Sequence, residues 1–281
     1  MTAMDSAVLG NGLKSTRKSA EIWGLLRAQA EEMMSASSLL KADLLALVLN
    51  QSTFDTALAA LLAQAVKSSA PDSVNLFAEF KAVLERNPDI AEYAAIDLEK
   101  LDAVNPACPD LLTGFLSFRG FQALQVYRIT HALWVEDKHQ LAAMIQNWSA
   151  IKYGIDIHPA ARVGKAVFID HGMGLVVGST AVLEDDVNIW HGVTLGSTLT
   201  QAGDRHPKIR KGATICAGAT ILGNIEVGAG AIVAASSVVL KSVGAGKVVA
   251  GVPAREIGVA PERLDAIDAD FKSTSTQAQK R

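Results

Sequence analysis

Aromatic side chains make up only 5% of this 281-residue sequence, and cysteines number just 2. Cys108 and Cys216 lie far apart with no CxxC pairing, which argues against a disulfide framework or a zinc cluster. Neither sign of charge dominates: the net charge is -3, so no nucleic-acid footprint is expected. No apolar run approaches the roughly 20 residues that span a bilayer. The stretch Met1 to Lys14 lacks the basic start and apolar run of a signal peptide. These absences point to a cytoplasmic protein that binds neither nucleic acid nor membrane. Small and aliphatic residues are plentiful, with 22 glycines and 49% apolar content, which suggests a core layered from small side chains. The length allows one large or two modest domains.

Up to about Tyr153 the period is helical. Ser19 reads as a cap, followed by Ile22, Leu25, Leu26 and Met33 at helical spacing. Leu44 to Leu49 and Ala57 to Val66 form further apolar helical runs. Pro71 and Asp72 look like a helix start, with Val74, Phe77, Phe80 and Leu84 on one face, and Asn87-Pro88 ends that helix. After the break at Pro106 to Pro109, Phe115 to Trp134 and Leu141 to Trp148 carry two more helices. Residues 1–150 are therefore expected to be an α-helical domain.

The period then changes to six. Ile157, Val163, Ile169, Leu175, Ala181, Val187 and Val193 form one series, and Ile209, Ile215, Ile221, Val227, Val233 and Val239 a second. Small residues follow many anchors by four: Ala161, Ser179, Ala213, Ala219, Ala231 and Ser237. Neither a helix nor an antiparallel sheet repeats at six; a triangular coil does, with three hexads per turn and strands stacked about 4.8 Å apart. The fold class expected is α+β: an N-terminal helical domain, then a left-handed parallel β-helix of hexapeptide repeats over residues 151–258. A polar tail, residues 259–281, is expected to be mobile. The gap from Val193 to Ile209 is one hexad plus ten residues, so a ten-residue excursion is expected near Gly196 to Pro207. It carries Asp204-Arg205-His206-Pro207, and loops on rigid solenoids commonly carry function.

The hexads resemble the hexapeptide-repeat acyltransferases. Four stretches resemble one branch of that family, the serine O-acetyltransferases: Asp156-Ile157-His158-Pro159-Ala160-Ala161, Asp170-His171-Gly172, Gly203-Asp204-Arg205-His206-Pro207-Lys208-Ile209 and Ala250-Gly251-Val252-Pro253-Ala254-Arg255. The segment Phe115 to Ile129 is similar to that family's last N-terminal helices. The similarity spans roughly Asn105 to Arg255. It implies transfer of acetyl from acetyl-CoA to the hydroxyl of L-serine, the first step of cysteine biosynthesis, with L-cysteine as feedback inhibitor and no metal. It also implies a homo-oligomer, a trimer or a pair of trimers, with active sites between neighbouring β-helices.

Such a transfer needs a base for the hydroxyl proton and donors for the developing oxyanion. Among six histidines, His131, His139 and His158 read as structural, and so does His191. His171 is the candidate base. Asp156 lies fifteen residues earlier, three short of a coil, which puts its carboxylate near the same corner to orient the imidazole. The resemblance makes this Asp and His the catalytic pair. It also makes Asp170, Arg205 and His206 serine-holding residues, Asp170 for the ammonium and Arg205 for the carboxylate. Acetyl-CoA is expected along the groove between β-helices, lined by Gly196, Ser197, Ala217 and Ala235, with Lys241 or Arg255 near the phosphates.

Three places depart from the family pattern. Gly196 to Gly203 lacks the usual glycines. Asn105-Pro106-Ala107 stands where the family has Asp-Pro-Ala, so Asn105 takes that substrate-binding position and nearby Asp110 is a possible substitute. The chain ends Gln279-Lys280-Arg281 rather than in the Ile that docks into O-acetylserine sulfhydrylase, which makes that partnership doubtful. Other readings are transfer to another acceptor such as an amino sugar, a metal-dependent β-helix enzyme of the γ-carbonic anhydrase kind, and a non-enzymatic scaffold.

Overall fold

The computed structural model describes residues 17–36, 38–198 and 202–261. Its first half is helical: α1 (Lys18–Ala36), α2 (Lys41–Leu44), α3 (Phe54–Val66), α4 (Leu76–Arg86), α5 (Asp89–Val104), α6 (Leu111–Ser117), α7 (Arg119–Val135) and α8 (His139–Tyr153). Short polar side chains start several of these helices by accepting orphan backbone N–H groups. Thr53 accepts from Thr56 and Asn75 from Ala78. Asp110 Oδ1 accepts from the Thr113 N–H at 2.7 Å. Gly154, at φ +69°, ends α8 in the left-handed conformation that favours glycine. Ser19 is not a cap; it lies inside α1, and its hydroxyl bonds Glu92 of α5. The buried stripes are also narrower than periodicity suggests, because Leu25 and Phe77 are exposed while Ile22, Leu26, Phe80 and Leu84 are buried.

The second half winds into coils of three short strands. The first holds β1 (Ile155–Ile157), β2 (Arg162–Val163) and β3 (Phe168–Asp170), and the second β4 (Leu175–Val177), β5 (Val182–Leu183) and β6 (Asn188–Trp190). The third holds β7 (Thr194–Gly196), β8 (Lys208–Ile209) and β9 (Thr214–Ile215), and the fourth β10 (Thr220–Leu222), β11 (Glu226–Val227) and β12 (Ile232–Val233). β13 (Val238–Val239) and β14 (Lys247–Gly251) belong to a fifth, and β15 (Ala254–Val259) folds back antiparallel on β14. Stacking produces three parallel faces: β1-β4-β7-β10-β13, β2-β5-β8-β11, and β3-β6-β9-β12-β14 with β15 at its edge. The inward aliphatic residues fill the interior, as the six-residue repeat requires.

Strand pairing corrects the count. Upper coils advance by 18 residues, as in Lys208–Glu226, Thr214–Ile232 and Thr220–Val238. The first coil advances by 20: Ile155 pairs with Leu175, Arg162 with Val182 and Phe168 with Asn188. Val176 pairs with Thr194, 18 on, so the two additional residues lie at the corner between β3 and β4. Across the loop between β7 and β8 the advance is 26, as in Val182–Lys208, eight above the regular coil. The expected ten-residue excursion is thus two separate insertions, two residues at the His171 corner and eight in the Arg205 loop. The slip is concealed because each strand directs two side chains inward, two positions apart, such as Leu175 and Val177. The register mates of Ile157, Val163 and Ile169 are therefore Val177, Leu183 and Ile189. Ser179, one of the small residues four after an anchor, is half-buried at a corner, while Ala181 is buried.

The two halves are keyed together. A Cβ on Gly120 would lie 2.1 Å from the carbonyl oxygen of Ile169, so only glycine lets α7 approach β3 this closely. Asp97 of α5, 1% exposed, accepts from Arg128 Nη2 at 2.7 Å, Gln125 Nε2 at 3.0 Å and the Val167 N–H at 3.1 Å. Arg128 Nη2 also donates to the carbonyl of Gly164 at 2.7 Å, and the Tyr127 hydroxyl to that of Ala161 at 2.6 Å. The helical part runs to Tyr153 and the final hairpin to Val259, a few residues beyond the expected boundaries. The expected tail beyond Pro261, including Gln279 to Arg281, lies outside the described residues.

Candidate active site

The longer corner of the first coil carries Asp170 and His171. The Gly172 N–H donates to the Asp170 carbonyl at 2.5 Å, and His171 between them has φ +54°. This is a γ-turn of the rare left-handed kind, and such strained non-glycine backbone clusters at functional sites. A Cβ on Gly172 would lie 2.5 Å from Cδ1 of Ile155, so the turn needs glycine there. The His171 side chain is 67% exposed, with Nε2 3.7 Å from Asp170 Oδ2. Its ring stands edge-on to that of His191, centroids 5.9 Å apart. A ladder continues upward: Gly192 N–H donates to Met173, Gly218 N–H to His191 and Ser236 N–H to Ala217. His191, Ala217 and Ala235 therefore stack above the corner of His171.

Asp156 projects outward from β1 between inward-facing Ile155 and Ile157. Two residues earlier, the Gly154 carbonyl accepts from the Gly174 N–H, so Asp156 lies beside the His171 corner as coil counting expected. The expected contact is absent, however. Asp156 Oδ1 accepts from Gln146 Nε2 at 2.5 Å, and the carboxylate nearest the His171 imidazole is Asp170.

Arg205 and His206 occupy the next corner, between the first and second faces. Thr180 organises them. Its hydroxyl oxygen accepts from the Arg205 N–H at 3.0 Å and the His206 N–H at 3.1 Å. The Thr180 N–H donates to His206 Nδ1 at 3.2 Å, which leaves the proton of a neutral ring on Nε2. The Arg205 guanidinium bonds the Gly203 carbonyl and Ser179 Oγ, and Lys208 Nζ ties Asp204 at 2.6 Å to the Thr180 carbonyl at 2.8 Å. Burial first, then the cations Arg205 and Lys208, holds His206 below the ordinary imidazole value. His158 is also depressed, mainly by burial; its Nδ1 accepts from the Ala160 N–H at 3.0 Å and its ring lies edge-on to Trp134.

The remaining expected residues divide between corners. Gly196 and Ser197 leave β7 toward the Arg205 corner, and Lys241 is exposed at the top of the same column. Asn105 turns inward instead. Buried at the end of α5, its Oδ1 accepts from the Ala107 N–H at 2.9 Å, and among the described residues no hydrogen bond joins it to Asp170 or His171. Asp110 caps α6 through Oδ1. Within one chain, then, the His171 and Arg205 corners sit at opposite ends of one three-residue face, on the order of 10 Å apart.

The chain as a whole has counterparts among known proteins. The family model described as "Serine acetyltransferase, N-terminal" matches residues 22–126. A Schizosaccharomyces pombe protein provisionally named a serine acetyltransferase is 46% identical over 247 residues, 88% of this chain and 92% of its own. The crystal structure of a serine acetyltransferase in complex with coenzyme A from Brucella abortus superposes with a TM-score of 0.83 at 43% identity, covering 86% of this chain and 96% of that one. The chain belongs to the serine acetyltransferase family. A serine acetyltransferase in complex with cysteine is similar too, with a TM-score of 0.84 at 39% identity over 89% of this chain and 97% of that one. As a serine acetyltransferase the chain is an acyltransferase, and it needs a base and preorganised donors. The two corners offer both: an exposed imidazole on one, an Arg and a neutral imidazole on the other.

Two supporting residues escaped sequence reasoning. Thr180 looks like ordinary corner filler, and Gln146 like a polar position on an amphipathic helix. Their partners lie 26 and 10 residues away. Among the described residues no cluster of three or more His, Cys, Asp or Glu could hold a metal ion, and no helix is long and apolar enough to cross a membrane.

Proposed function

We propose that this chain transfers acetyl from acetyl-CoA to L-serine at a site assembled from two copies, with the His171 corner of one facing the Arg205 corner of the other. The separation of those corners along one face carries the reading, since a three-carbon amino acid cannot touch both within one chain. Closed cyclic assembly supplies the juxtaposition, taken as the trimer that the family resemblance implies. His171 takes the proton from the serine hydroxyl, whose oxygen attacks the thioester carbonyl. The tetrahedral intermediate collapses with cleavage of the C–S bond, and the proton passes from His171 to the departing CoA sulfur. Asp170 receives the serine ammonium and Arg205 its carboxylate. Nε2–H of His206 is a neutral donor suited to the serine head group or the developing oxyanion. Asp156, outward-facing beside the same corner, is the carboxylate assigned to orient the His171 imidazole.

The stacked small residues Ala217 and Ala235, and Gly196 with Ser197 on the opposite corner, leave room for a pantetheine arm between copies. Cysteine shares the ammonium and carboxylate of serine, so the same groups would hold it as a competitive inhibitor. The experiment mixes two inactive variants. His171→Ala and His206→Ala chains, co-expressed and assembled together, leave about a quarter of interfaces intact in random trimers. Recovery of CoA release toward that fraction supports the shared site; no recovery above either parent variant contradicts it. A His171→Ala enzyme that releases CoA with serine at the unaltered rate contradicts the base assignment.

A further inference from the structure

We infer that Gln146 is a positioning residue that aims the carboxylate of Asp156. The inference rests on the reading of Asp156 as orienter of the His171 base and adds to it what orients the orienter. Gln146 Nε2 donates to Asp156 Oδ1 at 2.5 Å, the one side-chain hydrogen bond to that carboxylate among the described residues. The terminal torsion of an aspartate is broad, so a half-exposed carboxylate with no fixed partner samples many orientations. Anchoring Oδ1 leaves Oδ2 as the free acceptor, pointing in a defined direction.

The identity of the anchor matters as much as its place. A lysine or arginine would fix Oδ1 but neutralise the charge that Asp156 lends to an imidazolium. The amide of Gln146 supplies a donor without a charge, so orientation is gained and the anion is kept. Gln146 is half-buried on α8 beside buried Ile145 and Ser149. It also lines a small pocket of about 10 Å³ with Thr130, Ser149, Ile155 and Ile157. Helix α8 runs to Tyr153 and turns through Gly154 directly into β1, so donor and acceptor are joined by one short, regular stretch of chain.

A double-mutant cycle on the full chain tests this. Gln146→Met keeps the stem and removes the donor. It is expected to lower kcat about tenfold, the scale of a slightly misaimed catalytic group, with KM for serine and for acetyl-CoA within about twofold. In an Asp156→Asn background the same substitution is expected to change kcat by less than about twofold, because the group it positions is gone. A full kcat in Gln146→Met, or an equal loss in both backgrounds, overturns the inference. If Asp156→Asn alone keeps the parent kcat, the catalytic reading of Asp156 fails instead, and the two failures are thereby distinct. Gln146→Glu serves if the methionine variant does not fold. Its carboxyl can donate only while protonated, so its kcat relative to the parent is expected to rise as pH falls. A parallel pH profile would also overturn the inference.

Discussion

A methyl group on Gly178 would sit 2.0 Å from Cδ2 of His206, so the space left by one residue is the seat of the other's ring. Gly178→Ala is therefore expected to expel the imidazole and break its bond from the Thr180 N–H. The kinetic outcome is at least about a tenfold drop in kcat/KM for serine, the scale set by a misplaced substrate contact. Steady-state assays at varied serine check it; an unchanged kcat/KM would show that His206 does not handle substrate.

The depressed histidines make stability depend on pH. His206 and His158 are both held below the ordinary value, chiefly by burial, so the native state favours their neutral forms. Their contribution is full above the unfolded-state value of about 6.5 and is lost as pH falls through that value toward the native one. The melting temperature is expected to fall between about pH 7 and pH 5. His206→Gln should flatten that slope, which thermal melts across the range would reveal.

The interlocked junction sets a different magnitude. Asp97→Ala leaves Arg128, with its side chain only 4% exposed, without a counter-charge. Removing one partner of a buried pair costs about 3–5 kcal/mol, or roughly 10 °C in melting temperature for a chain of this size. Gly120→Ala is expected to destabilise as well, since backbone at 2.1 Å cannot yield as a flexible side chain would. Calorimetry on both variants measures these losses.

His171→Ala should show the reverse pattern. With a side chain 67% exposed, its removal is expected to leave the melting temperature within about 2 °C while lowering kcat about a hundredfold or more. Parallel melting and CoA-release measurements separate the two effects.

The solenoid was legible because an inward aliphatic residue every sixth position has no other structural explanation. Its register was not, since a slip of two swaps one inward position for another: Leu175 fits either count. Arg205 and His206 stood out by the polar density of their loop, His171 by its spacing from Asp156, and Asp170 by resemblance alone. Their distribution over two corners could not be read, because it depends on where insertions fall within a coil. The contact of Asp156 with Gln146, and that of Asp97 with Arg128 across 31 residues, belong to tertiary packing that periodicity does not encode. Asn105 was placed in the site by resemblance alone, and its side chain serves its own turn.

The antiparallel strand β15 has a consequence for how copies can meet. A parallel solenoid that ends on a bare rung invites the next chain to add its own first rung and so grow into a fibre. Here the six-stranded face finishes in a strand of reversed direction, and its first strand, β3, lies beneath α7. Both ends of that face are closed to axial growth. On that face the sides stay open, which is the direction of approach that the proposed shared site between the His171 and Arg205 corners would need.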